Sequence, residues 1–105
     1  MTSQGSPYAI FRRAIESGNV MIAEVEARQI QRMTLSDALD LTALVALRDP
    51  KRGSRYAARW LARWVTEVPS PTLEDAAIVV AYLGALGGPR HDQVVVSLRA
   101  IVQRG

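Results

Sequence analysis

The sequence predicts an all-α protein of about six antiparallel helices, and three observations carry that reading. Apolar residues recur at three- and four-residue spacing through most of the chain. Capping residues stand at regular intervals ahead of those runs. The breaks between runs are short and made of glycine, asparagine or proline, which favours antiparallel neighbours. The expected architecture is three stacked helical hairpins, as an open solenoid or a closed bundle, in one domain over residues 6–105. Residues 1–5, small and polar, are expected to be disordered.

The first helix starts at Ser6-Pro7, a capping hydroxyl followed by proline where its missing N–H costs nothing. Ile10, Phe11, Ala14 and Ile15 follow, and Gly18 is the natural stop. Asn19 caps a second helix, expected to reach about Met33 with Val20, Ala23, Ala27 and Ile30 as its stripe. Thr34 caps a third, with Asp37 in a variant of the capping box. Leucine, alanine and valine cover nearly all sides of that helix, so it is expected at the centre, ending at Asp49-Pro50.

The fourth helix is expected from about Arg52 to Val68. Ala57, Trp60, Leu61, Trp64, Val65 and Val68 share one face. Arg52, Arg55, Arg59 and Arg63 share an opposite arc of about 80°. After the break Pro69-Ser70-Pro71, Thr72 opens a fifth helix to Leu86, with Leu73, Ala76, Ala77, Val80 and Leu83 as main stripe and a second central position expected. Pro89 opens the sixth, where Val94, Val95, Leu98, Ile101 and Val102 keep a helical period despite the strand-like valine triplet.

Thr34-Leu35-Ser36-Asp37-Ala38 recurs as Thr72-Leu73-Glu74-Asp75-Ala76, an offset of 38 residues. At the same offset Ala43 meets Ala81, Ala57 meets Val95, Trp60 meets Leu98 and Trp64 meets Val102. Periods of this size are typical of stacked helical hairpins. Ser17-Gly18-Asn19 followed by Ala23 and Ala27 resembles the middle of a tetratricopeptide hairpin, where a small-residue turn joins two helices with alanines at their contact. The tryptophan–leucine–glycine–tyrosine pattern of that family is missing, and the offset exceeds its usual ~34 residues. The segment Ala57-Ala58-Arg59-Trp60-Leu61-Ala62-Arg63 resembles short all-helical actinobacterial proteins of no assigned activity. Both resemblances imply a fold and transfer no catalytic residue.

Composition narrows function by exclusion. The chain has 105 residues and no cysteine, which removes disulfides, thiol catalysis and cysteine-based metal sites. No apolar run approaches the ~20 residues a membrane span needs, and the first residues lack the order of a signal peptide. A soluble cytoplasmic protein without membrane contact is expected. His91 is the one histidine, expected exposed in a first helical turn, with no nucleophile or further ligand placed beside it. No cofactor, metal or catalytic residue is expected, so the protein is read as a non-enzyme.

The net charge of +3 is localised. Residues 1–50 and 64–105 each sum to −1, and residues 51–63 carry +5. Arg52, Arg55, Arg59 and Arg63 are therefore the candidate partner-binding residues. Four guanidiniums on one face can grip carboxylates or phosphates bidentately. The ordinary alternative is a solvated face paired with Glu24, Glu26 or Glu67. Trp60, Trp64 and Tyr56 could stack on bases, but core packing is the first expectation for them. The leading function is a protein–protein interaction or self-association module, binding another protein or itself as a homodimer. The second is a nucleic-acid-binding or regulatory protein using the same arginine face.

Overall fold

A computed structural model describes residues 5–104, so the expectation of a disordered start, apart from Gly5, lies outside the described residues. Six helices occur in the expected order: α1 (Pro7–Ser17), α2 (Val20–Ala27), α3 (Leu35–Arg48), α4 (Pro50–Glu67), α5 (Leu73–Gly84) and α6 (His91–Arg104). There is no strand among the described residues. Helices α1 and α2, α3 and α4, and α5 and α6 pack in pairs, with the α3–α4 pair in the middle. The molecule measures 47 × 30 × 20 Å.

The caps that the sequence signals are all in place. Ser6 Oγ accepts from the Ala9 amide and Thr34 Oγ1 from the Asp37 amide, each at 3.0 Å. Gly18 takes the left-handed conformation, φ 75°, that glycine reaches without penalty. The next amide, Asn19, bonds back to the Ala14 carbonyl at 2.8 Å, closing α1 in a Schellman motif. The Asn19 side chain accepts from the Ile22 amide and so caps α2. One dipeptide thus ends one helix and starts the next, which fixes the first hairpin.

Four boundaries depart from expectation, among them the end of α5, at Gly84 and not the expected Leu86. Helix α2 stops at Ala27, six residues early. No glycine or proline marks this stop. Amide bonds from Gln29 to Glu26 and from Ile30 to Ala27 tighten the chain, and Ile30 and Met33 turn onto the cluster around Phe11. Helix α4 starts at Pro50, because Asp49 caps it while also ending α3. The Asp49 carboxylate there offsets the unfavourable placement of Lys51 and Arg52 at a helix N-terminus. Helix α6 begins at His91, two residues after the expected Pro89.

Two apolar clusters lie on either side of α3. Phe11, Ala14 and Ala23 pack with Leu41 and Val45 of α3. On its other side Leu39, Ala43 and Ala46 pack with Trp60, Trp64, Val79, Leu83, Leu86, Val94 and Leu98. A helix that serves two cores must be apolar nearly all round, which is what its sequence shows. Besides Thr42, whose hydroxyl donates to the Ala38 carbonyl within the helix, the buried polar exception is Asp40, 7% exposed. It accepts from Arg12 of α1 at 2.7 Å and from Arg99 of α6, so one carboxylate ties the outer hairpins to the middle helix.

The expectation of a central α5 is corrected. Only Val79 and Leu83 of this helix are buried, while Leu73 is 87% exposed and Val80 50%. The stripe read from periodicity straddles the edge of the core. The packed side is turned toward Ala76, Val79, Tyr82 and Leu83, because α5 covers α4 and α6 and does not touch α3 extensively. The 38-residue likeness divides the same way. Thr34 and Thr72 make the same cap at 3.0 Å, and Trp60 and Leu98 are both buried in one cluster. Ala43, however, is buried where Ala81 is exposed.

Candidate functional site: an arginine-lined cleft

The early stop of α2 creates a cleft against α4. Its lining comprises Glu24, Ala27 and Arg28 from the end of α2, Leu41 from α3, and Arg52, Arg55, Tyr56 and Arg59 from α4, around about 390 Å³. The apolar floor belongs to the Phe11 cluster, against which Tyr56 and Ala27 pack. The rim is cationic on both walls.

The sequence-predicted residues do not act as a set. Arg52 is bound to the Glu24 carboxylate, whose negative charge raises its pKa above its ordinary value. Arg63 is drawn out of the cleft: it bonds to Glu67 at 2.7 Å and to the Met33 carbonyl at 3.0 Å. That second bond uses a carbonyl that the expected longer α2 would have placed at its end. Arg55 is exposed and makes no ion pair or hydrogen bond among the described residues. Arg59 contacts the Tyr56 ring, its guanidinium carbon 5.0 Å from the ring centre, and has no carboxylate partner among them. Arg52, Arg55 and Arg59 thus stay in the cleft and Arg63 does not.

Arg28 is not one of the four arginines that the helical period of α4 singles out. It stands one residue past the end of α2, on the wall facing Arg55 and Arg59, and also lacks an ion-pair partner among the described residues. No local motif marks it. Its position follows from where α2 ends, and that is a tertiary effect.

Glu24 and Tyr56 order the cleft. The Tyr56 hydroxyl donates to the same Glu24 oxygen that Arg52 holds. Burial first, and then this bond to a carboxylate, push the Tyr56 pKa above 10.0. The phenol is therefore a fixed donor. Arg52 and Arg59 lie against its ring, 6.0 and 5.0 Å from the centre, at cation–π distance. Both tryptophans are buried, at 2% and 1% exposure, so neither offers a face for stacking. The side-chain set contains hydrogen-bond donors and positive charge but no positioned nucleophile and base. It suits recognition of planar or tetrahedral oxyanions by bidentate guanidinium contacts.

His91 lies elsewhere, half-buried at the start of α6, with its Nδ1 bonded to the Leu86 carbonyl. It is less exposed than expected, and the bond serves the α5–α6 turn. No group of three or more His, Cys, Asp or Glu residues that could hold a metal ion occurs among the described residues. No helix of the described residues is long and apolar enough to cross a membrane.

Comparison of the chain with protein-family models, with curated proteins and with solved structures finds no match.

Proposed function

We propose that the protein is a non-enzymatic interaction module that docks an acidic segment of a partner protein in the cleft between α2 and α4. One observation carries the reading. The cleft lining holds four arginines and one glutamate, a formal +3, and the whole chain carries +3. The rest of the molecule is neutral on balance, so its long-range attraction for anions converges on this cleft.

An acidic protein segment suits the site better than a nucleic acid. The cleft is short and two-walled, and a carboxylate occupies part of it, which opposes a continuous phosphate backbone. Base stacking has no free aromatic platform, since both tryptophans are buried and Tyr56 is covered by arginine. Carboxylates on a peptide can reach Arg28, Arg55 and Arg59 one at a time. The reading takes the protein to act in the cytoplasm, which a cysteine-free composition suits.

The test is fluorescence anisotropy with a labelled glutamate-rich peptide at low salt, with mixed-sequence DNA and RNA as competitors. The wild type is expected to bind the peptide and to lose affinity as salt rises. Arg55→Glu with Arg59→Glu should weaken binding by at least about tenfold, or ~1.4 kcal/mol. Arg63→Ala should leave it nearly unchanged. Absence of peptide binding at low salt, or displacement by DNA or RNA at much lower concentration than by unlabelled peptide, would overturn the proposal.

A further inference from the structure

Helix α5 carries an apolar stripe that the fold leaves uncovered. At 100° per residue Leu73, Ala77, Val80 and Gly84 fall within an arc of about 60°, and all four are exposed. Leu73 at 87% is the most exposed large apolar side chain among the described residues. The other end of the same stripe is hollow. Gly84 does not adopt a positive φ, and a Cβ there would meet nothing within 4 Å. Neither backbone conformation nor packing within the monomer calls for a glycine, which weakens a helix relative to alanine. Gly84 borders an apolar groove of about 540 Å³ between α4 and α5, lined also by Ala57, Ala58, Leu61, Val80 and Leu83. One helix thus presents a leucine knob at its start and a groove at its end, about 16 Å apart along the axis.

We infer that a second copy of this chain docks antiparallel along α5, the two-fold axis passing between Ile78 and Val79, so that each copy's Leu73 enters the other's groove at Gly84. In that register Leu73 faces Gly84 and Ala77 faces Val80, a larger side chain against a smaller one at each step. A closed two-fold interface needs a surface complementary to itself, and the knob and the groove on one helix meet that need together. Charge agrees. Glu74 stands beside the knob. Lys51 follows the groove-lining Pro50, and Arg90 lies two residues beyond the groove-lining Gly88. None of these three forms an ion pair among the described residues. Antiparallel docking brings the acidic end of each helix to the basic end of the other. A parallel arrangement would set Leu73 against Leu73 and Glu74 against Glu74, with both grooves empty. The contact is centred on one helix pair, below the ~800 Å² per partner of tight complexes, so association is concentration-dependent. The inference stands independently of the arginine cleft.

Sedimentation velocity and light scattering over a concentration series test it on the full chain. The mass is expected to rise from 11.5 kDa toward twice that value. Leu73→Glu and Gly84→Leu should each restore the monomer with the helical circular dichroism unchanged, since both positions are open to solvent in the single chain. Because the chain has no cysteine, a mixture of Ala77→Cys and Val80→Cys chains reports the register, and oxidation should give mostly the mixed disulfide-linked pair. A monomer persisting at about 1 mM, where even weak complexes form, would overturn the inference. So would a dimer insensitive to both Leu73→Glu and Gly84→Leu, or a like-with-like cross-link pattern.

Discussion

Gly53 of α4 lies against Ala46 of α3 so closely that a Cβ on Gly53 would come within 2.5 Å of the Ala46 Cα and 2.8 Å of its Cβ. The atoms it would meet are backbone and a short side chain, which cannot swing aside. This close approach holds α4 against α3 two and three turns ahead of Trp60 and Trp64, which pack in the same cluster as Ala46. Gly53→Ala should therefore destabilise the protein by ~1–3 kcal/mol through overpacking, despite alanine's better helix propensity. Ser54→Ala, on the exposed side of the same turn, should stay within ~0.5 kcal/mol. Urea unfolding of both variants decides this. An unchanged midpoint for Gly53→Ala would mean that the two helices separate freely.

Trp60 and Trp64 are equally buried but differently satisfied. Trp60 Nε1 donates to the Leu35 carbonyl at 2.9 Å, tying α4 to the first turn of α3. Trp64 Nε1 has no hydrogen-bond partner among the described residues. Replacing Trp60 by phenylalanine removes a bond and volume and leaves a carbonyl short of a donor. The same change at Trp64 removes volume together with an unsatisfied polar group. Trp60→Phe should cost more than Trp64→Phe, by ~1 kcal/mol. Chemical denaturation of the pair measures the difference, and a larger loss at Trp64 would contradict this account.

Asp40 joins three helices through two arginines. Asp40→Asn keeps its shape but leaves Arg12 and Arg99 facing a neutral group. The two arginine side chains are 29% and 36% exposed, so water softens the loss. The expected destabilisation is ~1–3 kcal/mol, below that of a fully buried pair. Asp37→Asn should cost less. Asp37 is more exposed, and Arg12 keeps Asp40 when Asp37 is lost.

Tyr56 gives a pH dependence. Its pKa is raised above 10.0 in the folded chain by burial and by the bond to Glu24. The native state therefore holds a proton that the unfolded chain gives up at about pH 10. Stability from this group is fully present below that value and is lost as pH rises through the folded pKa. Unfolding free energies at about pH 9 and 11 should fall more steeply for the wild type than for Tyr56→Phe. Equal slopes would place the Tyr56 hydroxyl in water.

The fold was legible where the signal is local. Ser6, Asn19, Thr34 and Thr72 cap helices by reaching amides three residues on, and Gly18 closes one by its own conformation. Such bonds need only short-range sequence, so helix number and order follow from it. The candidate site was half legible. The arginines of α4 share a face because of helical period alone, and that face does line the cleft. The pairing of Arg63 with Glu67, four residues on in the same helix, was legible, but that Arg52 takes Glu24 and Arg63 also takes the Met33 carbonyl depends on packing. Arg28 entered the site for the same reason.

The sequence by itself determined the helical period, the caps, the apolar character of α3 and the concentration of positive charge in one segment, since each depends on neighbours within a few residues. Only the tertiary structure decided that α2 ends at Ala27, that α3 and not α5 is central, and that Leu73 stands outside. Those outcomes depend on which of several similar apolar faces meet. Periodicity can show that a face is apolar, but the competition among faces for one limited core decides which is covered.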